Sequence, residues 1–191
     1  MSHPVKLIIG LGNPGEKYAK TRHNAGFWFI DALANEYGAK FKFENKFSGE
    51  IAKVNVANES VWLLKPATFM NRSGFAAHQM TSFYKIQPEQ ILVAYDELDL
   101  SPGTVRLKIG GGHGGHNGLR DLHSQIGKEY QRLRFGIGHP GDKRKVADYV
   151  LSRPDKNDEI AINQAIERSL GEVENIVQGD SQKAMNVLHT D

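Results

Sequence analysis

The six residues Gly10-Leu11-Gly12-Asn13-Pro14-Gly15 constrain this chain more than any other stretch. They follow Val5-Lys6-Leu7-Ile8-Ile9, whose β-branched and leucine content reads as a buried strand that glycine closes. Pro14 fixes its own φ and Gly15 accepts a positive one, so the chain must turn sharply there. Arg22-His23-Asn24 comes next, just ahead of an apolar pattern with helical spacing. A polar loop at the end of a first strand is where an α/β protein places its chemistry. The spacing of Gly10, Gly12 and Gly15 also matches the dinucleotide fingerprint G-x-G-x-x-G. That fingerprint needs its third glycine to open a helix packed on the strand. Here Glu16 to Arg22 offers only Tyr18 and Ala19 as apolar residues. No acidic residue ends a second strand at the required distance either, so a nicotinamide or flavin site is rejected.

Beyond this turn, strand and helix patterns alternate. Ala25, Phe27, Trp28, Ile30, Leu33 and Tyr37 recur at helical spacing, with Gly38 as the stop. Residues 47–56 and 60–64 read as a hairpin pair, which makes the sheet mixed rather than purely parallel. Lys65 to Asn71 leaves that pair as an extended loop, and a helix carrying Phe75, Ala76, Met80 and Phe83 starts at Ser73 or Gly74. Ile91 to Tyr95 is a buried strand that delivers Asp96-Glu97-Leu98-Asp99 at its carboxyl end. Val105 to Ile109 alternates, with two cations on one face. The Gly110–Gly118 loop then enters a helix holding Leu119, Leu122 and Ile126. Arg132 to Gly138 alternates again, and His139 to Lys145 reads as a mobile basic loop. Ile162, Ile166, Leu170, Val173 and Val177 form the stripe of one long helix beyond Pro154, and a short last helix starts at Asp180. There is no internal repeat and no linker. The expectation is an α/β fold: a single three-layer α/β/α domain spanning 1–191, built on a twisted mixed β-sheet.

Composition excludes several classes. The chain has no cysteine, which removes disulfides and thiolate metal sites and fits a cytoplasmic protein. No apolar run approaches a membrane span. A net charge of only +2 does not demand nucleic acid, so any basic footprint must be local. Arg106, Lys108, Arg132 and Arg134 on two strands, flanked by Lys143-Arg144-Lys145, would supply one suited to phosphates. Solvated strand faces account for the same cations equally well. No exposed apolar stripe stands out, which points to a monomer.

Histidine and carboxylate carry the candidate chemistry. Imidazole is the side chain whose ordinary pKa of about 6.5 suits proton transfer near neutrality. A carboxylate on one ring nitrogen fixes its tautomer and favours the imidazolium that forms. His23 paired with Asp96 would therefore activate water for attack on a carbonyl. With no cysteine and no G-x-S-x-G, direct attack by water is favoured over a covalent acyl-enzyme. The residues alone also allow a helix-capping or solvated His23 and a turn role for Asp96. His113 and His116, three apart in a glycine-rich loop, could share a cation with Asp96. The surrounding glycines instead suggest backbone N–H groups lying close to a phosphate or a carbonyl. No metal and no cofactor is expected.

These motifs, in this order, resemble bacterial peptidyl-tRNA hydrolases. The resemblance rests on Gly10-Leu11-Gly12-Asn13-Pro14-Gly15-x-x-Tyr18, Arg22-His23-Asn24-x-Gly26, Lys65-Pro66-x-Thr68-Phe69-Met70-Asn71-x-Ser73-Gly74, Asp96-Glu97-Leu98-Asp99, Gly110 to Leu119, and Arg134-x-Gly136-Ile137-Gly138-x-Pro140. It covers positions 5 to about 154; the C-terminal helices match in length and amphipathic character only. It implies hydrolysis of the ester between a peptide and the 3′ adenosine of tRNA, releasing tRNA for reuse. Carried over, His23 is the general base, Asp96 supports it, and Asn13 separates peptidyl from free aminoacyl groups. Asn71 and Asn117 hold substrate and water, and His116 lies with Asn117 among the substrate-binding residues. Tyr18 and Phe69 line the cleft for the tRNA end and peptide, and Lys108 and Arg134 clamp an acceptor-stem phosphate. The oxyanion donor is left open between Asn71 and Asn13. Two positions depart from the family pattern: Arg106, where lysine is equally familiar, and Tyr95, where histidine is commoner. A non-catalytic RNA-binding module would keep the basic strands but would not need His23 with Asp96.

Overall fold

The apolar runs of the sequence become a seven-stranded sheet in the computed structural model, which describes residues 3–190. Its strands are β1 (Leu7–Gly10), β2 (Lys42–Glu44), β3 (Gly49–Val56), β4 (Glu59–Pro66), β5 (Ile91–Glu97), β6 (Val105–Ile109) and β7 (Gln131–Gly136). They lie in the order β2-β3-β4-β1-β5-β7-β6. β4, β1, β5 and β7 are mutually parallel, while β2 and β3 on one edge and β6 on the other run antiparallel to their neighbours. The four central strands therefore all end on the same rim, where α/β proteins gather their binding loops.

Alternation along each strand divides the core in two. Leu7 and Ile9 face one side, with Met80 of α2 (Ser73–Tyr84) and Leu119 and Leu122 of α3 (Asn117–Ile126). Ile8 faces the other, with Phe29, Ile30 and Leu33 of α1 (Ala25–Glu36). Four further helices follow: α4 (Val146–Val150), α5 (Lys156–Leu170), α6 (Val173–Val177) and α7 (Ser181–Leu188). All four place apolar residues in the α1-side cluster, so the layers read α/β/α as expected.

Glycines in the first turn bring α1 against the sheet. A Cβ on Gly26 would stand 2.3 Å from the Ala94 carbonyl oxygen and 2.6 Å from the Leu11 nitrogen. A Cβ on Gly10 would stand 2.5 Å from the Gly26 carbonyl oxygen, and one on Gly12 would meet the Phe27 ring at 2.6 Å. Gly10 and Gly12 thus serve a close helix–strand contact, and Gly15, at φ +97°, serves the turn. No helix opens at Gly15, since α1 begins only at Ala25.

The structure departs from the sequence reading in several places, the first being Phe47, which lies in a 3-10 turn (Asn45–Phe47) ahead of β3 rather than in the strand. The short β2 was not anticipated: Lys42 and Phe43 are exposed and carry no burial pattern. The basic loop is partly ordered; Asp142 caps a single 3-10 turn at Lys143–Lys145 that leads into α4. The long C-terminal helix is two, because α5 ends at Gly171 and α6 resumes at Val173 with Val173, Ile176 and Val177 buried. Among the described residues no helix is long and apolar enough to cross a membrane.

Candidate active site

Two elements bring the catalytic candidates together. The 3-10 turn Arg22–Asn24 precedes α1 and buries His23, and the last residues of β5 bury Asp96 beside it. His23 Nδ1 stands 2.7 Å from Asp96 Oδ2, and His116 Nε2 stands 2.8 Å from Asp96 Oδ1. One carboxylate therefore joins two imidazoles. His116 is also the N-cap of α3, its Nδ1 accepting from the backbone N–H of Gly118 at 3.1 Å and of Leu119 at 3.4 Å. A nitrogen that accepts carries no proton, so the His116 hydrogen sits on Nε2 and is donated to Asp96. Neither ring nitrogen of His116 is free for substrate.

Electrostatics follow from this packing. Burial alone would raise the Asp96 pKa, but the electrostatic attraction of His23 and the hydrogen bonds from both imidazoles hold it well below the usual carboxylate range. Burial alone would lower the His23 pKa, but the Asp96 charge and hydrogen bond outweigh it and leave the imidazole above 6.5. The ionised carboxylate accepts a hydrogen bond from His23 Nδ1–H, which leaves the lone pair on Nε2. Nε2 has no hydrogen-bond partner among the described residues, and His23 lines both hollows that flank it.

One hollow collects most of the residues singled out by sequence. Asn13, Tyr18, His23, Phe69, Asn71 and Asn117 line it together. Asn13 is buried and locked: its Oδ1 accepts from Met70 N–H at 2.7 Å, and the Asn24 side chain bonds its backbone N–H and C=O at 2.8 and 2.9 Å. With Oδ1 occupied, what Asn13 offers the groove is its NH₂ group. Asn71 and Asn117 are exposed on the same groove. Tyr18 meets Phe69 edge-on at 6.0 Å, and Phe69 is 58% exposed, a large apolar surface open to solvent. The second hollow, about 290 Å³, lies on the other side of His23 between Tyr95, His113, His116 and Lys143.

Ala147 and Val150 of α4 wall both hollows. Arg22 fixes that helix. Its guanidinium lies 3.8 Å from the centre of the Tyr149 ring and donates to the Tyr149 carbonyl at 3.0 Å and to the Ser152 hydroxyl. Tyr149 OH in turn donates to the Ile137 carbonyl at 2.6 Å. Sequence reasoning missed α4, Tyr149 and Ser152; the Arg22-His23 neighbourhood was the only signal pointing there.

Lys108 and Arg134 lie outside both hollows, on the β6–β7 edge. Arg106 pairs with Arg134 and Lys108 with Arg132 across these strands, so all four share one face. Lys108 is exposed, and Arg134 is 3.7 Å from Glu97. Arg132 does not join a solvent-facing patch. It is 1% exposed, and its guanidinium donates to the carbonyls of Gly111, Gly112 and Lys128. The cationic footprint is smaller than the sequence implied.

The metal question has a geometric answer. His23, Asp96 and His116 each offer a ligand atom within 4.8 Å of the others, the one such group among the described residues. A cation there would need the Nε2 of His116 without its hydrogen, which would move to Nδ1 and face the two backbone N–H groups it now accepts from. His113 does not join this group; its Nδ1 accepts from Gly115 N–H at 3.0 Å and its ring lies beside His123.

With this geometry in place, the comparisons converge. The family model described as Peptidyl-tRNA hydrolase matches residues 7–191. The Peptidyl-tRNA hydrolase of Neisseria gonorrhoeae is 51% identical over 191 residues, covering 100% of both chains. That of Stenotrophomonas maltophilia is 54% identical over 187 residues, covering 97% of each. The crystal structure of peptidyl-tRNA hydrolase from Acinetobacter baumannii shares the fold with a TM-score of 0.95 at 50% identity, covering 98% of this chain and 97% of that one.

Proposed function

The chain belongs to the peptidyl-tRNA hydrolase family, which hydrolyses peptidyl-tRNA, and on that premise we propose how its own residues do so. His23 is the general base. Its Nε2 takes a proton from water as the water oxygen bonds to the ester carbonyl carbon, and Asp96 stabilises the imidazolium formed. The C–O bond to the ribose then breaks, and the same proton passes from His23 to the departing 3′ oxygen. No acyl-enzyme forms. The observation that carries this reading is the Asp96 carboxylate held between His116 and His23, whose ring lines the groove.

The remaining roles follow from what each side chain leaves unpaired. The Asn13 NH₂ group is a donor for a substrate carbonyl or for the oxyanion, and it favours a peptide's amide over a free ammonium, which has no acceptor. Asn71 and Asn117 hold substrate and water, and Tyr18 with Phe69 form the apolar wall for the tRNA end and peptide. His116 acts through Asp96 rather than on substrate. Lys108 and Arg134 grip backbone phosphate, which places any tRNA without reading its sequence. In this reading the enzyme acts as a monomer, since hydrolysis asks for no residue from a second copy, and its substrate sets it to work in the cytoplasm.

Cleavage of N-acetylaminoacyl-tRNA against free aminoacyl-tRNA, with and without EDTA, tests this for the protein and for His23→Ala. Loss of the blocked substrate only, unaffected by EDTA and abolished in the variant, is the expected result. Full activity in His23→Ala would overturn the mechanism.

A further inference from the structure

The glycine-rich segment after β6 has to climb the sheet. β6 runs antiparallel to β7 and Ile109 pairs with Gln131, so the chain leaves β6 at the amino ends of the parallel strands. It must reach their carboxyl ends by His116, which meets Asp96 there. Residues 110–116 contain only glycine and histidine, so no apolar side chain packs this climb onto the sheet. Gly110, Gly111, Gly114 and Gly115 all take positive φ.

One side chain holds the segment partway. Arg132, near the start of β7, donates to the carbonyls of Gly111 and Gly112, and anchors itself on the Lys128 carbonyl at 3.2 Å. Its guanidinium lies 4.7 Å from the centre of the Tyr130 ring, which limits its orientation. His123 Nε2 accepts from it at 3.0 Å. Burial, with Arg132, His113 and Lys128 nearby, pushes the His123 pKa down to about 4, so it is a neutral acceptor. The Nε hydrogen of Arg132 is buried without a partner. An apolar residue would fill this volume with less desolvation cost, so the guanidinium is explained by the carbonyls it reaches.

We infer that Arg132 is a positioning residue for hydrolysis: by fixing Gly111 and Gly112 it sets the height at which His116 meets Asp96. It acts at one remove from the reaction and touches no phosphate. This rests on the His23–Asp96 reading above, and the binding measurement below is independent of it.

The test compares Arg132→Gln and Arg132→Lys with Lys108→Gln. Each is measured for kcat and KM on N-acetylaminoacyl-tRNA, and for the salt dependence of its Kd for uncharged tRNA. Arg132→Gln lowers kcat about tenfold or more while KM changes less than about threefold. Arg132→Lys, which keeps the charge and can still reach carbonyls, recovers part of the loss. Their salt slopes match the unmodified protein, whereas Lys108→Gln lowers the slope by about one. Nitrogen NMR of His116 adds a direct readout: the hydrogen leaves its single site on Nε2 in Arg132→Gln. A raised KM with a reduced salt slope would overturn the inference and make Arg132 a phosphate ligand. Unaltered kcat and an unaltered His116 signal would also overturn it. If both Arg132 variants fail to fold, the residue belongs to the core and the positioning role is rejected. A failed general-base reading shows separately, as activity retained in His23→Ala.

Discussion

His116 holds the Oδ1 oxygen of Asp96 at 2.8 Å, and because its other nitrogen caps α3 it can do so only as a donor. That asymmetry decides what Asp96→Asn does. An asparagine has one oxygen and one NH₂ group. His116 claims the oxygen, so the NH₂ group faces His23 Nδ1 and forces the His23 hydrogen onto Nε2. The groove then sees a donor where a base is needed. We expect kcat to fall about 10³–10⁴-fold with the fold intact, checked by single-turnover hydrolysis beside circular dichroism. A loss of less than about tenfold would show that Asp96 does not set the tautomer.

The pH profile carries a signed expectation. His23 must be neutral to act as base, and its pKa is raised, so kcat/KM rises with pH through a limb above 6.5. The same shift acts on stability in the opposite sense. A raised folded-state pKa contributes stability fully present below the unfolded value and lost as pH climbs through the folded one. The Tm advantage of the unmodified protein over His23→Gln should therefore be larger at about pH 6 than at about pH 9. An advantage that grows with pH would reverse the assignment.

Asn13 separates architecture from chemistry. Asn13→Asp keeps an oxygen for the Met70 N–H but loses the NH₂ group offered to the groove. Asn13→Ala loses both and leaves that buried N–H unpaired, at about 1–3 kcal/mol. Thermal melts should therefore place Asn13→Ala well below Asn13→Asp. Activity on the blocked substrate should fall steeply in both, and equal activity in Asn13→Asp would remove the donor role.

The two outer cations should behave differently from the site residues. Lys108→Gln and Arg134→Gln raise KM with little change in kcat, and each lowers the slope of log KM against log salt by about one. Steady-state kinetics across a salt series checks this. A fall in kcat at constant KM would place either residue near the reaction instead.

Much of this was legible because the parallel strands are apolar runs and the residues at their ends fall in short motifs. Asn13, His23, Asn71 and Asn117 could each be named from a turn or helix start, and the structure gathers them in one groove. Periodicity was weaker where burial was partial. Lys42-Phe43-Glu44 pairs through its backbone with β3 and shows no pattern in its side chains. The stripe from Ile162 to Val177 runs across the break at Gly171, since both helices bury the same side. Arg132 was the hardest case. Strand alternation put it beside Arg134, but its burial depends on carbonyls supplied by a loop from elsewhere in the chain. The donor role of His116 likewise needs three-dimensional partners on both ring nitrogens at once.

The contact between Gly10 and Gly26 sets a mechanical tolerance for the enzyme. Backbone rests on backbone there, with no room for a methyl group on either side. A side-chain interface can creep as rotamers exchange, but two main chains in direct contact have nothing to exchange. His23 stands three residues before Gly26, in the 3-10 turn that leads directly into α1, and Asp96 two residues after the Ala94 carbonyl that Gly26 abuts. A slip of one residue along α1 would move His23 by about 1.5 Å, enough to break its bond to the carboxylate. The spacing of His23 and Asp96 is therefore a property of the frame, set apart from substitutions elsewhere in the groove.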